Sequence, residues 1–338
     1  MILLTSGYPE EQGRFSEIIS ISNPHLECQF FDAIPWRYSS IGGLLGGQPI
    51  ICGGYNGESA ANDCFFVKAS LDEMTVKLKY TRTSATSIAL NGTAIWVLGG
   101  ADDNYNHLNS SEIITTDSSF ETVALPFTIS NHCMVKVSEN AIYVIGGWQN
   151  YTSSSETWII NPVDGFSISK GPSMNKDRTD MSCGTMKIKG QTVIIVAGGV
   201  WDVDDPITTV EILDPTSVLG WTYGNTFFIK LSRMIESVGF LCHCKTGKTK
   251  FYVIVKTRNY FLGPELPFAL TDTVMVSYPS GRGVALVSGY NTDEYHLSDA
   301  IIELSEDATE WKIMRQKVKY PREAHLVIPI PEELTSCH

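Results

Sequence analysis

Charged residues are scarce in this chain, as are the features that would place it among the common enzyme, membrane or nucleic-acid classes. Only 18% of its 338 residues are charged, with 25 Lys and Arg against 37 Asp and Glu. The net charge of −12 leaves no basic footprint for nucleic acid. The one cationic cluster, "KTGKTK" at 245–250, reads as a solvated hairpin tip. No apolar run approaches the roughly 18–20 residues of a membrane span, so membrane insertion is not expected. The opening "MILLTSGYPEE" has neither the basic start nor the small-residue cleavage site of a signal peptide. Catalytic signatures are missing as well: HExxH, GxSxG, P-loop and GxGxxG are all absent. The seven histidines, at 25, 107, 132, 243, 296, 325 and 338, include no adjacent pair. Cys242-His243-Cys244 supplies a C-x-C without a second ligand pair, too little for a metal centre. No metal and no cofactor is expected.

What the chain does have is repetition. Apolar runs end on a glycine pair in "QPIICGGYNG" (48–57), "AIWVLGGADD" (94–103), "AIYVIGGWQN" (141–150) and "VIIVAGGVWD" (193–202). The pairs are Gly53-Gly54, Gly99-Gly100, Gly146-Gly147 and Gly198-Gly199. Weaker echoes are "ILLTSGYPE" (2–10) and "GVALVSGYNT" (283–292), where serine replaces the first glycine. The second glycines Gly7, Gly54, Gly100 and Gly147 follow one another at 47, 46 and 47 residues. Glycine there permits a close backbone approach that a Cβ would forbid. The aromatic just beyond (Tyr8, Tyr55, Trp148, Tyr290, with Trp201 one place further) is expected to fill space between neighbouring sheets.

After each pair come a polar loop and a short strand, as in "FSEIISIS" (15–22), "SSEIITTD" (110–117) and "TTVEILDP" (208–215). A third strand follows, and an arginine then often introduces a fourth: Arg37, Arg82, Arg178, Arg233 and Arg322. Four short strands in each repeat, glycine-rich turns and no helical period predict an all-β fold, a β-propeller of four-stranded antiparallel blades. Weak alternation along the strands fits blades buried on both faces. The repeat runs through the whole chain, so residues 1–338 are read as one domain.

The apolar run, the diglycine, the later aromatic and the arginine opening the next unit together resemble the kelch repeat. The resemblance implies a kelch-type β-propeller acting as a non-catalytic protein-binding module. No recruitment domain of the kind that precedes kelch propellers in ubiquitin-ligase adaptors is visible, since the first repeat starts at residue 2. After Arg233 the pattern departs: "KFYVIVKTRN" has Val255 and Lys256 where the diglycine belongs. Counting this abbreviated unit gives the expected seven blades, and discounting it gives the alternative of six. The last strand, within "PREAHLVIPI" (321–330), is expected to close the ring by joining the N-terminal blade.

Four kinds of candidate site follow. Cys52 and Cys64 would face each other across a hairpin, at a separation suited to a disulfide or to two small core residues. Cys28 and Cys337 would fall in the same closing blade, as a clasp or as free thiols. Cys133 and Cys183 are read as free core thiols. The sequons at Asn91, Asn109 and Asn150 lie in predicted turns or loops, an argument for an extracellular glycoprotein, with a cytoplasmic location as the alternative.

The loops after the glycines carry Glu58, Asp102, Asp103, Asp202, Asp204, Asp205, Asp293 and Glu294, with Tyr55, Tyr105, Trp148, Trp201 and Tyr290 nearby. All should emerge on one face, an acidic rim with aromatics suited to a basic peptide or protein partner, unless the acids serve solubility alone. A monomer is expected. The rival reading is a propeller oxidoreductase or hydrolase with its site at the central channel. Copper-radical oxidases use kelch-like propellers too, but here Tyr295-His296 is a single such neighbour without an evident partner.

Overall fold

A computed structural model describes residues 1–20, 35–67, 72–201, 205–217, 220–223, 264–278 and 280–331. Among them are five four-stranded antiparallel sheets and a three-stranded one that holds both end strands, these six numbered here in chain order; two further three-stranded sheets and a two-stranded one are built from two-residue strands, and the one helical element is the single turn Glu10–Gly13. Sheet 1 joins Leu326–Pro329, Ile2–Thr5 and Glu17–Ile19, from innermost outward; Ile2 lies opposite Pro329 and Thr5 opposite Leu326. Sheets 2 to 6 begin with the innermost strands Ile41–Leu45, Thr86–Asn91, Cys133–Ser138, Ser182–Ile188 and Val274–Ser277. In each, the second strand is the run that ends on Gly-Gly or Ser-Gly.

These runs are apolar throughout because both their faces are covered. Successive side chains of a strand point to opposite sides. Ile95 and Val97 therefore pack with Ile50 and Cys52 of sheet 2, while Trp96 and Leu98 pack with Ile142 and Val144 of sheet 4. The same arrangement puts Tyr143 and Ile145 against Ile194 and Val196, and Ile195 and Ala197 against Val284 and Leu286. Ala285 and Val287 pack with Ile2 and Leu4, and Leu3 packs with Ile51. Each sheet thus shares a core with the next, sheet 5 with sheet 6, and sheet 1 with both sheet 6 and sheet 2.

The glycine and arginine of the repeat turn out to be partners. Arg82 donates to the Gly99 carbonyl at 2.7 Å, Arg178 to Gly198 at 2.9 Å and Arg322 to Ser6 at 3.2 Å. Each also meets a carboxylate on the third strand of its own sheet: Glu112 at 2.6 Å, Glu211 at 3.1 Å and Glu17 at 3.5 Å. Those carboxylates in turn accept from the backbone three residues before the arginine, at Lys79, Asn175 and Lys319. The arginine–glutamate pairs are almost wholly buried, and burial pulls Arg82 below the usual arginine range and Arg322 down to about 10. Arg37 makes a more exposed version with Asp63 at 2.8 Å. Arg233 lies outside the described residues.

The second glycine of each pair is pressed against the entry of its own sheet, and its N–H reaches the entry of the next. Gly147 has φ +82°, and a Cβ there would lie 2.5 Å from the Ser130 carbonyl and 2.6 Å from the His132 Cβ. Its N–H donates to the carbonyl of Arg178, at the start of sheet 5, at 2.8 Å.

Cys52 and Cys64, opposite each other on adjacent strands, form a disulfide with 4.1 Å between Cα atoms. Cys133 and Cys183 are also bonded, with Cα atoms 6.0 Å apart, which corrects the reading of both as free thiols. Cys133 pairs with Ile145, just before Gly146, whereas the residue in that register on sheet 5 is Ser182, opposite Ala197. Cys183 is therefore one step further along, and a one-residue step turns a side chain to the other face. The two sulfurs meet between the sheets instead of occupying equivalent places. Cys28 and Cys337 lie outside the described residues.

Candidate functional site

Two residues after each arginine, or after the residue in its register, the chain takes a left-handed turn. Ser39, Ser84, Asn131, Asp180, Asp272 and Ala324 all have φ between +49° and +53°. Their backbones link in a circle. Ser84 N–H donates to Ser39 O at 3.1 Å, Asn131 to Ser84 at 3.0 Å, Asp180 to Asn131 at 3.2 Å, Asp272 to Asp180 at 3.2 Å, Ala324 to Asp272 at 3.2 Å and Ser39 to Ala324 at 2.7 Å. Each residue comes from the entry to a different sheet. Six left-handed non-glycine residues in one circle carry backbone strain that only the surrounding packing holds in place.

Two clefts open above this circle, on the side of the loops that follow the glycines. The first, of about 370 Å³, is lined by Tyr38, Tyr55, Tyr105, His107, Trp148 and Tyr151, with Ser84 and Asn131 of the circle among its other residues. Tyr38 stands between Tyr55 and Trp36, ring centres 5.2 and 5.6 Å away, and His107 stacks on Tyr151 at 4.4 Å. Burial pushes the Tyr38 hydroxyl up and the His107 imidazole down. The second cleft, of about 470 Å³, is lined by Asp180, Val200, Pro206, Thr271, Asp272, Tyr290, Thr292 and Tyr295. A chamber of about 140 Å³ is bordered by the circle together with His132, Met181, Thr273 and His325, among others.

The aromatics expected between sheets are on this face instead. The residue after the second glycine forms a short bridge to the strand entry, Tyr55 with Tyr38, Trp148 with Ser130 and Tyr290 with Thr271. That bridge lies beyond the sheet edge, so the rings reach the clefts, and Trp201 is 50% exposed. The expected acids divide. Asp102 accepts from the Asn106 side-chain amide at 3.0 Å, which with the backbone N–H groups of Asn106 and Asn104 holds its carboxyl below the usual range. Asp103 accepts from Ala60 N–H and Asp293 from Ala269 N–H. These three shape the loops. Glu58 and Asp205 are exposed, while Asp202 and Asp204 lie outside the described residues. Of the sequons, Asn91 and Asn150 are exposed at turns, and Asn109 donates its amide to Leu125 O at 3.0 Å, as Asn62 does to Leu78 O at 3.2 Å.

The carboxyls that do line a cleft, Asp180 and Asp272, were not singled out by sequence. Their signal was the register two residues past the arginine, shared with Ser39 and Ser84. Burial raises the Asp180 carboxyl, while burial and the nearby charges of Asp180 and Glu323 raise Asp272 well above the usual range. His132 and His325, one residue further on in the same register, are buried and held neutral down to about pH 3, chiefly by burial. Neither ring nitrogen of His132 has a hydrogen-bond partner. Among the described residues no group of three or more His, Cys, Asp or Glu is arranged to hold a metal ion.

The sheets and their packing define an all-β, propeller-like fold. No protein-family model matches the chain, and no curated protein matches it significantly. Solved structures do: the structure of YjhT superposes with a TM-score of 0.61 at 10% sequence identity, covering 85% of this chain and 87% of that one.

Proposed function

We propose that the chain is a kelch-type propeller of six blades that binds another protein through its loop face and carries out no chemistry of its own. A count of six blades in place of seven is supported by the repeated bond from the second glycine to the next arginine register. Gly7 donates to Arg37, Gly54 to Arg82, Gly100 to Ile129, Gly147 to Arg178, Gly199 to Leu270 and Gly289 to Arg322. The bond from Gly199 spans the interval in which the abbreviated unit falls. The circle of six hydrogen bonds at the strand entries and the pairing of Ile2–Thr5 with Leu326–Pro329 support ring closure in the same way.

The binding reading rests on one observation, the first cleft with its wall of tyrosines, Trp148 and His107. Tyr105 is 74% and Tyr151 56% exposed there, and exposed aromatics around a concavity are the residue type that anchors partner segments. Two disulfides support an oxidising, extracellular setting. The test is capture of a partner by the purified chain, identified by mass spectrometry, followed by affinity measurements on variants. Tyr105→Ala with Tyr151→Ala should weaken association by at least about thirtyfold, matching two kcal/mol or more for hot-spot rings. Thr93→Ala, at an exposed hairpin away from the cleft, should leave it unchanged. Equal affinity for both variants would send the binding site elsewhere.

A further inference from the structure

We propose that Asp180 and Asp272 are the acceptor for a lysine ammonium group carried by the segment that binds the loop face, an inference that rests on the binding reading above. Both carboxyls line the second cleft and the chamber. Asp180 accepts from the Asn131 amide and from the Thr179 hydroxyl, at 2.8 Å for the latter. Asp272 has a hydrogen bond from Thr271. No lysine or arginine forms an ion pair with either of them among the described residues. Half-buried carboxyls set close together without a counter-charge are costly, and a fold keeps them where something else supplies the charge.

A second observation points to an occupant. His132 is 6% exposed and lines the chamber together with Asp180 and Asp272, and both its ring nitrogens lack a partner. His325 borders the same chamber from sheet 1. A neutral imidazole offers one lone pair, which an N–H donor can use. An ammonium group has three donors around a point charge, and here the acceptors come from different sheet entries around an axis. A guanidinium fork needs a planar pair instead. The walls of the second cleft suit the rest of the side chain: Val200, Pro206, Tyr290 and Tyr295 line it and offer apolar and aromatic surface to a four-carbon stem. Tyr295, 81% exposed, stands where a cation passing its ring gains a further attraction. The chain's net charge of −12 favours the approach of a basic segment.

The test uses the whole protein and a small probe, N-acetyl-lysine methylamide, with N-acetyl-norleucine methylamide as its uncharged counterpart. Calorimetric titration up to about 10 mM should detect the lysine probe and not the norleucine one. Asp180→Asn and Asp272→Asn should each weaken the lysine probe by at least about tenfold, with far-ultraviolet circular dichroism showing each variant folded. Binding should also displace protons, so the heats of the native protein should differ between buffers of different ionisation enthalpy. The Tyr105→Ala, Tyr151→Ala protein, altered in the other cleft, should bind the lysine probe normally. Failure of the native protein to distinguish lysine from norleucine overturns the proposal, as does native-like binding by both folded Asn variants. If the lysine probe fails while the tyrosine variant still loses the captured partner, the loop-face reading stands and the ammonium site falls.

Discussion

Replacing His132 with Gln should make the protein less sensitive to acid, by an amount the structure fixes. His132 is buried, and burial lowers its pKa from 6.5 to about 3. In the unfolded chain the same imidazole titrates near 6.5. Between those values the unfolded state binds a proton that the folded state refuses, so stability falls as pH falls through this window. Each pH unit costs up to about 1.4 kcal/mol, which comes to roughly 2 kcal/mol at pH 5 and about 4 kcal/mol by pH 3. Asp180, Asp272, Glu17 and Glu323, with raised pKa values, act in the opposite sense, because the folded state keeps their protons longer. A difference between two proteins removes their contribution. Urea unfolding of the native protein and His132→Gln at pH 7.5 and pH 5 should show the variant losing about 2 kcal/mol less across that step. Stability curves that run parallel would refute the buried, neutral imidazole.

Three further outcomes are expected. Gly147→Val, forced into a left-handed turn with its Cβ 2.5 Å from Ser130 O, should cost about 3 kcal/mol or more in denaturant unfolding; an unchanged midpoint would remove the structural role of the glycine pair. Glu211→Ala leaves Arg178 buried without its counter-charge and should cost about 3–5 kcal/mol, whereas exposed Glu310→Ala should cost almost nothing. Breaking Cys133–Cys183 with Cys183→Ser should cost about 4 kcal/mol on the chain-entropy estimate for a separation of 50 residues. Non-reducing peptide mapping checks the bond directly, since recovery of Cys133 and Cys183 on separate free-thiol peptides would exclude it, and the same map decides whether Cys28 and Cys337 are joined.

The repeat was legible because its causes are local. Two glycines are required where the chain is wedged between the entry of its own sheet and that of the next, and apolar runs are required where both faces are covered. Cys52 and Cys64 were legible for the same reason, being opposite each other across one loop. Cys133 and Cys183 were not, because no arginine marks the register at Ile129, which is level with Arg178; Cys133 stands one step nearer that register than Cys183 does, and that single step decides which face each sulfur takes. The loop acids misled in another way. Asp102, Asp103 and Asp293 look like a charged rim in sequence, yet their oxygens are occupied by backbone N–H groups of the loops. Asp180 and Asp272 lie in segments with no acidic pattern, and only the circle of strand entries brings them together.

The pairing of the two end strands has a mechanical meaning. Ile2 and Pro329 are the outermost pair of their ladder, and Thr5 and Leu326 the innermost. A pulling force applied at Ile2 and Pro329 therefore loads one end of the ladder first, so its hydrogen bonds give way one after another, as in a zipper, and never bear the load together. Once Thr5 parts from Leu326, the strand from the far end of the chain leaves sheet 1, and the adjoining cores of sheets 6 and 2 lose the side chains it carried. Thermal unfolding has no such starting point. Tension on the ends should open the molecule at low force from this one seam, and a circular permutant with its ends moved to the Asn91–Ala94 hairpin would relocate that weakness to sheet 3.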